Sequence, residues 1–180
     1  MAICKLEKNL TRASQCGYNL PEIVELYLVN YEDLSATTLN TTSAGCEEIS
    51  AITLVDGAKV AKVEPAKNSA SFEDTLVIED SGNKYRNASI TFNVSGTYNS
   101  CMHGALDALS LGRYFVVVKT ADGNYLGFGR IAPLEAETAT LAGGSDNNGL
   151  QIVLAGNIAE SPLPLSDGAV TYILGKVISE

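Results

Sequence analysis

The chain has 180 residues, enough for one ordinary core and too few for two full-sized domains. With 46% hydrophobic and 18% charged residues it has the apolar surface to offset the entropy of ordering, which excludes disorder as the default. A formal net charge of -9 works against stable binding to DNA or to an anionic membrane, because either requires a net basic surface.

Met1-Ala2-Ile3-Cys4-Lys5-Leu6-Glu7-Lys8 lacks the apolar core of a signal peptide, and no stretch approaches the roughly 18 consecutive apolar residues of a membrane span. A cytosol-like compartment is therefore expected, with Cys4, Cys16, Cys46 and Cys101 kept as thiols and buried as small apolar residues. A polar N-terminal arm, residues 1–20, leads to Pro21 and a first strand over residues 23–29. Residues 35–45, rich in Ser, Thr and Asn and without periodicity, are expected as a loop. Strands over 49–55 and 59–63 follow, joined through Asp56-Gly57 as a hairpin.

A longer hairpin is expected over about residues 71–95, turning at Asp80-Ser81-Gly82-Asn83. Its second arm alternates, with Ile90, Phe92 and Val94 on one side and Ser89, Thr91 and Asn93 on the other, as a strand with one buried face must. Met102, Ala105, Leu106 and Leu109 recur at helical spacing and predict one short helix over about 99–111, with Asn99 or Ser100 as N-cap and Gly112 as the stop. Residues 114–119 form a near-continuous apolar strand, turning at Asp122-Gly123 into a return strand over 125–131, and both strands should be central. Further strands are expected over 134–141, 150–156 and 170–178, with a turn at 143–149. The sum is a single, mainly β domain of about ten short strands with one flanking helix.

Motifs that carry chemistry are sparse. Gly127-Phe128-Gly129-Arg130-Ile131-Ala132 matches a dinucleotide-binding glycine pattern, but Pro133 and the polar alternation after it predict no helix to hold a pyrophosphate. His103 is the only histidine and stands two residues from Cys101, a spacing at which helical side chains do not face each other. The pairs Glu47-Glu48, Glu73-Asp74 and Glu79-Asp80 fall at strand ends, where alternation splits neighbours between faces, so solvated acidic edges describe them better than an acid and base in one cleft. Four Asn-x-Ser/Thr triplets, at Asn9, Asn40, Asn87 and Asn93, have no secretory route to make them glycosylation sites. No catalytic residue, metal site or cofactor is expected.

The order of elements from Ser71 onward resembles the major tail tube proteins of tailed bacteriophages, in particular a divergent group from phages of Bacteroidetes hosts. The resemblance rests on Ser71-Phe72-Glu73-Asp74 entering a long hairpin, Ser89-Ile90-Thr91-Phe92-Asn93-Val94 before the helix, and Arg113-Tyr114-Phe115-Val116-Val117-Val118 with Asp122-Gly123-Asn124-Tyr125-Leu126-Gly127. Gly143 to Gly156, Glu160-Ser161-Pro162, and the arm from Cys4 to Cys16 leading into residues 23–31 extend it over nearly the whole chain. It implies a β-sandwich or barrel-like tail tube fold, assembly into hexameric rings stacked head-to-tail, and a place in the virion tail after synthesis in the bacterial host cytoplasm. The implied partners are further copies of itself, tape measure, tail terminator and baseplate proteins, with or without a sheath, and genomic DNA only in transit. Glu73, Asp74, Glu79 and Asp80 on the long hairpin are the candidate channel-lining acids. Another neck, head-decoration or tail-completion protein is an alternative, and a bacterial β-sandwich binding module is one of a different class.

Overall fold

The computed structural model describes residues 22–43, 46–95, 100–143 and 149–178. The N-terminal arm, the Asn99 cap and most of the 143–149 turn lie outside them. The chain runs β1 (Ile23–Asn30), a 3-10 turn (Tyr31–Asp33), β2 (Leu34–Ser43), β3 (Cys46–Leu54), β4 (Ala61–Val63), β5 (Ser71–Ile78), β6 (Lys84–Val94) and α1 (Ser100–Leu111). It continues through β7 (Arg113–Thr120), β8 (Tyr125–Phe128), β9 (Leu134–Ala142), β10 (Gly149–Ile158), β11 (Leu163–Pro164) and α2 (Asp167–Gly175). The fold is mainly β, as expected, with the expected helix α1 and a second helix, α2.

One large antiparallel sheet holds every strand except β2 and β3. On one side β5, β6, β10 and β9 lie next to each other; on the other, β7 pairs with β1 along one edge and with β8 along the opposite edge. The two halves meet only where Arg113 and Tyr114 face Glu135 and Leu134. That narrow join lets the halves stack with apolar faces inward. Ile90, Phe92, Ile152 and Leu154 of one half then pack with Leu26, Leu28, Val116 and Val118 of the other in one core.

β1 and β7 also bury their opposite faces. Tyr27, Val29, Phe115 and Val117 form a second core with Ile49, Ile52 and Leu54 of β3 and Ala169 and Ile173 of α2. A strand covered on both sides needs apolar residues at consecutive positions, and the runs Leu26–Val29 and Tyr114–Val118 supply them, all buried. The apolar run over 114–119 was expected to be central, and it is; the return strand, β8, was expected there too but lies next to the edge, with only the two-residue β11 outside it.

Three expectations are corrected. Residues 35–45 were expected as a loop, but β2 covers most of them and pairs along β3 from Leu34↔Leu54 to Ser43↔Cys46. Its threonines favour extended backbone, and a two-stranded ribbon with a wet face needs no apolar alternation. The turn at Asp56-Gly57 forms, with Gly57 at φ +80°, yet it joins no hairpin. β3 pairs back onto β2, Val55 N–H donates to Asp33 O, and β4 pairs with β1 at Leu26↔Val63 to Leu28↔Ala61.

The third correction is the last strand, expected over 170–178, where α2 stands. Val170, Thr171 and Ile173 suggest a strand by composition, but Ser166 Oγ accepts from Ala169 N–H as an N-cap and Asp167 occupies the first turn. Ala169 and Ile173, four apart, then face the second core. Elsewhere boundaries shift slightly. α1 begins at Ser100, and β8 stops at Phe128 because Gly129 takes φ +81°. Cys46, expected in the interior, is only half-buried.

Candidate functional site

The β5–β6 hairpin is the most distinctive surface feature. β6 is paired on both sides, to β10 from Leu150↔Val94 to Ile158↔Arg86 and to β5 from Ser71↔Thr91 to Ile78↔Lys84. No described strand pairs with the far side of β5, so a row of backbone donors and acceptors is left open there. Registry with the buried Ala88 and Ile90 puts Phe72, Asp74, Leu76 and Ile78 on the hairpin's inner face.

That inner face outruns the core. Phe72 meets the Phe128 ring edge-on at 5.3 Å between centroids, but remains 40% exposed, and beyond it Leu76 and Ile78 are 51% and 60% exposed. Between them Asp74 is closed off by Arg86, whose Nε and Nη2 lie 2.7 Å from Oδ2. The inner face is thus an apolar strip interrupted by a neutralised ion pair, at the free edge of a sheet. A polar pocket of about 360 Å³ opens beside its turn-proximal part, lined by Glu47, Leu76, Lys84, Arg86 and Glu160 among others.

The four candidate acids do not share one face. Glu73 points outward, exposed, and accepts a hydrogen bond from Thr75 Oγ1. Asp74 points inward, only 11% exposed, and is committed to Arg86, which removes it as a free channel-lining carboxylate. Glu79 and Asp80 are exposed at the tip, where Glu79 accepts from Ser81 Oγ and Asn83 Nδ2 and so helps shape the turn. The apolar strip itself was missed from sequence. Its signal is the alternation of Phe72, Leu76 and Ile78 with the polar Glu73 and Thr75, visible once the acidic pairs are set aside.

A second polar cluster lies at one end of β1. The Glu25 carboxylate receives Lys119 Nζ and Tyr27 Oη at 2.7 Å each and Lys62 Nζ at 2.9 Å. Burial by itself raises the Glu25 pKa, yet the hydrogen bonds from Lys119, Tyr27 and Lys62 outweigh it and hold it at about 2 against an ordinary 4.5. Burial and the neighbouring Glu25 push the Tyr27 phenol up. Every partner faces another within the cluster, so it joins β1, β4 and β7.

The remaining motifs resolve into architecture. No helix opens after Gly127-Phe128-Gly129; a Cβ on Gly127 would lie 2.9 Å from Ile49 Cδ1, so this glycine serves close packing. Arg130 instead forms a two-pronged pair with Glu160, at 2.7 and 2.6 Å, and reaches Thr37 Oγ1 at 3.3 Å. His103 is exposed on α1 with Nδ1 3.4 Å from Asp107 Oδ2, one turn on. The side chain of Cys101 lies outside the described residues.

Among the described residues no group of three or more His, Cys, Asp or Glu is placed to hold a metal ion, and no helix is long and apolar enough to cross a membrane. Comparison with protein-family models, curated proteins and solved structures finds no match.

Proposed function

We propose that the chain is a structural protein that assembles with copies of itself into stacked, hexameric rings forming the inner tail tube of a tailed bacteriophage. The observation that carries self-assembly is the β5 edge: eight residues of strand without a described outer partner, bearing Phe72, Leu76 and Ile78 exposed. Native proteins normally blunt such an edge or cover it. Here the charge that would interrupt the strip, Asp74, is neutralised by Arg86, so the strip suits burial against protein more than contact with water.

A heterologous contact of this kind closes into a ring, and rings that repeat along an axis make a tube. The tail tube form of the reading draws on the resemblance of the hairpin, helix and closing strands to that family. Glu73, Glu79 and Asp80 then supply the acidic channel, repelling DNA phosphate over roughly 8 Å at physiological salt, while Asp74 holds the hairpin. Tape measure, terminator and baseplate proteins are the partners at the tube's ends.

Negative-stain electron microscopy of the concentrated protein, beside its mass in solution, tests the reading. Rings or hollow tubes are expected. A persistent monomer at every concentration sinks it.

A further inference from the structure

The pocket of about 360 Å³ beside the β5–β6 hairpin brings three parts of the chain together: Leu76, Lys84 and Arg86 of the hairpin, Glu47 of β3, and Glu160 and Leu163. Two of its four charges are already committed. Arg86 holds Asp74, and Glu160 takes the two-pronged contact of Arg130. The other two, Lys84 and Glu47, are exposed and have no hydrogen bond or ion pair with any described residue. One spare cation and one spare carboxylate, from different elements, thus line a single pocket with the half-exposed Leu76.

We propose that Lys84 and Glu47 of one chain close into an ion pair that draws the hairpin tip over this pocket, a latch that shields the apolar strip of β5 before assembly. The inference rests on the self-assembly reading above and names what restrains it.

The tip is free to move. β10 pairs with β6 only as far as Ile158↔Arg86, so the hairpin beyond Arg86 is a two-stranded ribbon with no third strand to stiffen it.

The strip moves with the charge. Lys84 lies directly across from Ile78, and directly opposed side chains leave one face of a ladder, so drawing Lys84 into the pocket carries Ile78, 60% exposed, with it. Leu76 lines the pocket already, and Leu163, packed against the second core, is there to cover it.

One carboxylate answers Lys84. Glu160 is engaged by Arg130, and alternation along β3 turns Glu48 to the face opposite Glu47. An exposed pair of this kind is weak and screened by salt. It therefore suits a restraint that assembly must displace.

The test treats the full chain, dilute, with a carbodiimide, which joins an amine to a carboxylate it touches, and maps the links by mass spectrometry. Chains prepared with and without ¹⁵N are mixed in equal amounts first. A Lys84–Glu47 link is expected within like-labelled chains only, at least fivefold more abundant than a Lys84–Glu48 link. The exposed Lys62–Glu64 pair, at 2.6 Å, is the internal standard. That standard linking while Lys84 and Glu47 do not, equal links to Glu47 and Glu48, or links between labelled and unlabelled chains overturn the latch. Independently, Lys84→Glu or Glu47→Lys alone is expected to bring the onset of rings at least fivefold earlier, and the two together, which restore opposite charges, to return it to the wild-type time. A double variant as fast as the single ones overturns the latch. Wild-type protein that never forms rings sinks the self-assembly reading, and the cross-link still decides the latch.

Discussion

β1 and β7 on one side, and the β5–β6 hairpin on the other, are made of similar residues put to opposite uses. Leu26–Val29 and Tyr114–Val118 are sealed between two cores, so each apolar side chain is satisfied inside the subunit. Phe72, Leu76 and Ile78 have the same chemistry, but the sheet ends at β5, and beyond the contact of Phe72 with Phe128 the three are left 40–60% exposed. Burial in the first region stabilises the fold; exposure in the second leaves free energy to be gained by association.

If that contrast holds, substitutions in the two regions separate stability from assembly. Phe115→Ala, at a fully buried ring in the second core, is expected to cost about 3–5 kcal/mol. Urea denaturation checks it, and a cost near zero would mean that the layer is loosely packed. Next comes acid. Glu25 has a folded pKa of about 2 against an ordinary 4.5, so its contribution is complete above pH 4.5 and disappears as pH falls toward 2. Lowering pH through that window should remove roughly 2–3 kcal/mol in the wild type. Glu25→Gln should lack that component of the pH dependence, and an unchanged acid profile in the variant would place the stabilisation elsewhere.

Ser166→Ala removes the cap of α2, which covers the second core, and should cost about 1 kcal/mol in the same denaturation assay. The smallest stability effect belongs to the hairpin. Leu76→Lys with Ile78→Lys should change monomer stability by less than about 0.5 kcal/mol, since both side chains are exposed. The same pair should abolish rings under the microscope. Rings that persist would move the interface away from the β5 edge.

Much of the fold was legible because local pattern and tertiary demand agreed. β6 alternates because one of its faces is buried, α1 repeats at helical spacing, and Tyr114–Val118 of β7 form an unbroken apolar run because both faces are covered there. The misreadings arose where a local signal was real but its partner was distant. Asp56-Gly57 makes a turn, yet turn chemistry does not say that β4 will pair with β1. Val170, Thr171 and Ile173 favour strand by propensity, and a single serine cap with packing against Ile52 and its neighbours overrode them. The acids of the hairpin were legible as residues, but not the Arg86 that claims Asp74, since cross-strand register is invisible until both strands are placed.

β1 has a further consequence for how the chain comes to be folded. Its partner β7 begins more than 80 residues later, and its other neighbour, β4, spans only three residues. At synthesis rates of roughly 5–20 residues per second, the strand waits several seconds for β7 to emerge. During that wait Leu26, Tyr27, Leu28 and Val29, buried in the finished subunit, have no main partner to cover them. Closing so long a loop before any pairing rewards it is slow. These four side chains of a newly made chain therefore stay uncovered by their main partner until β7 has emerged and closed onto β1.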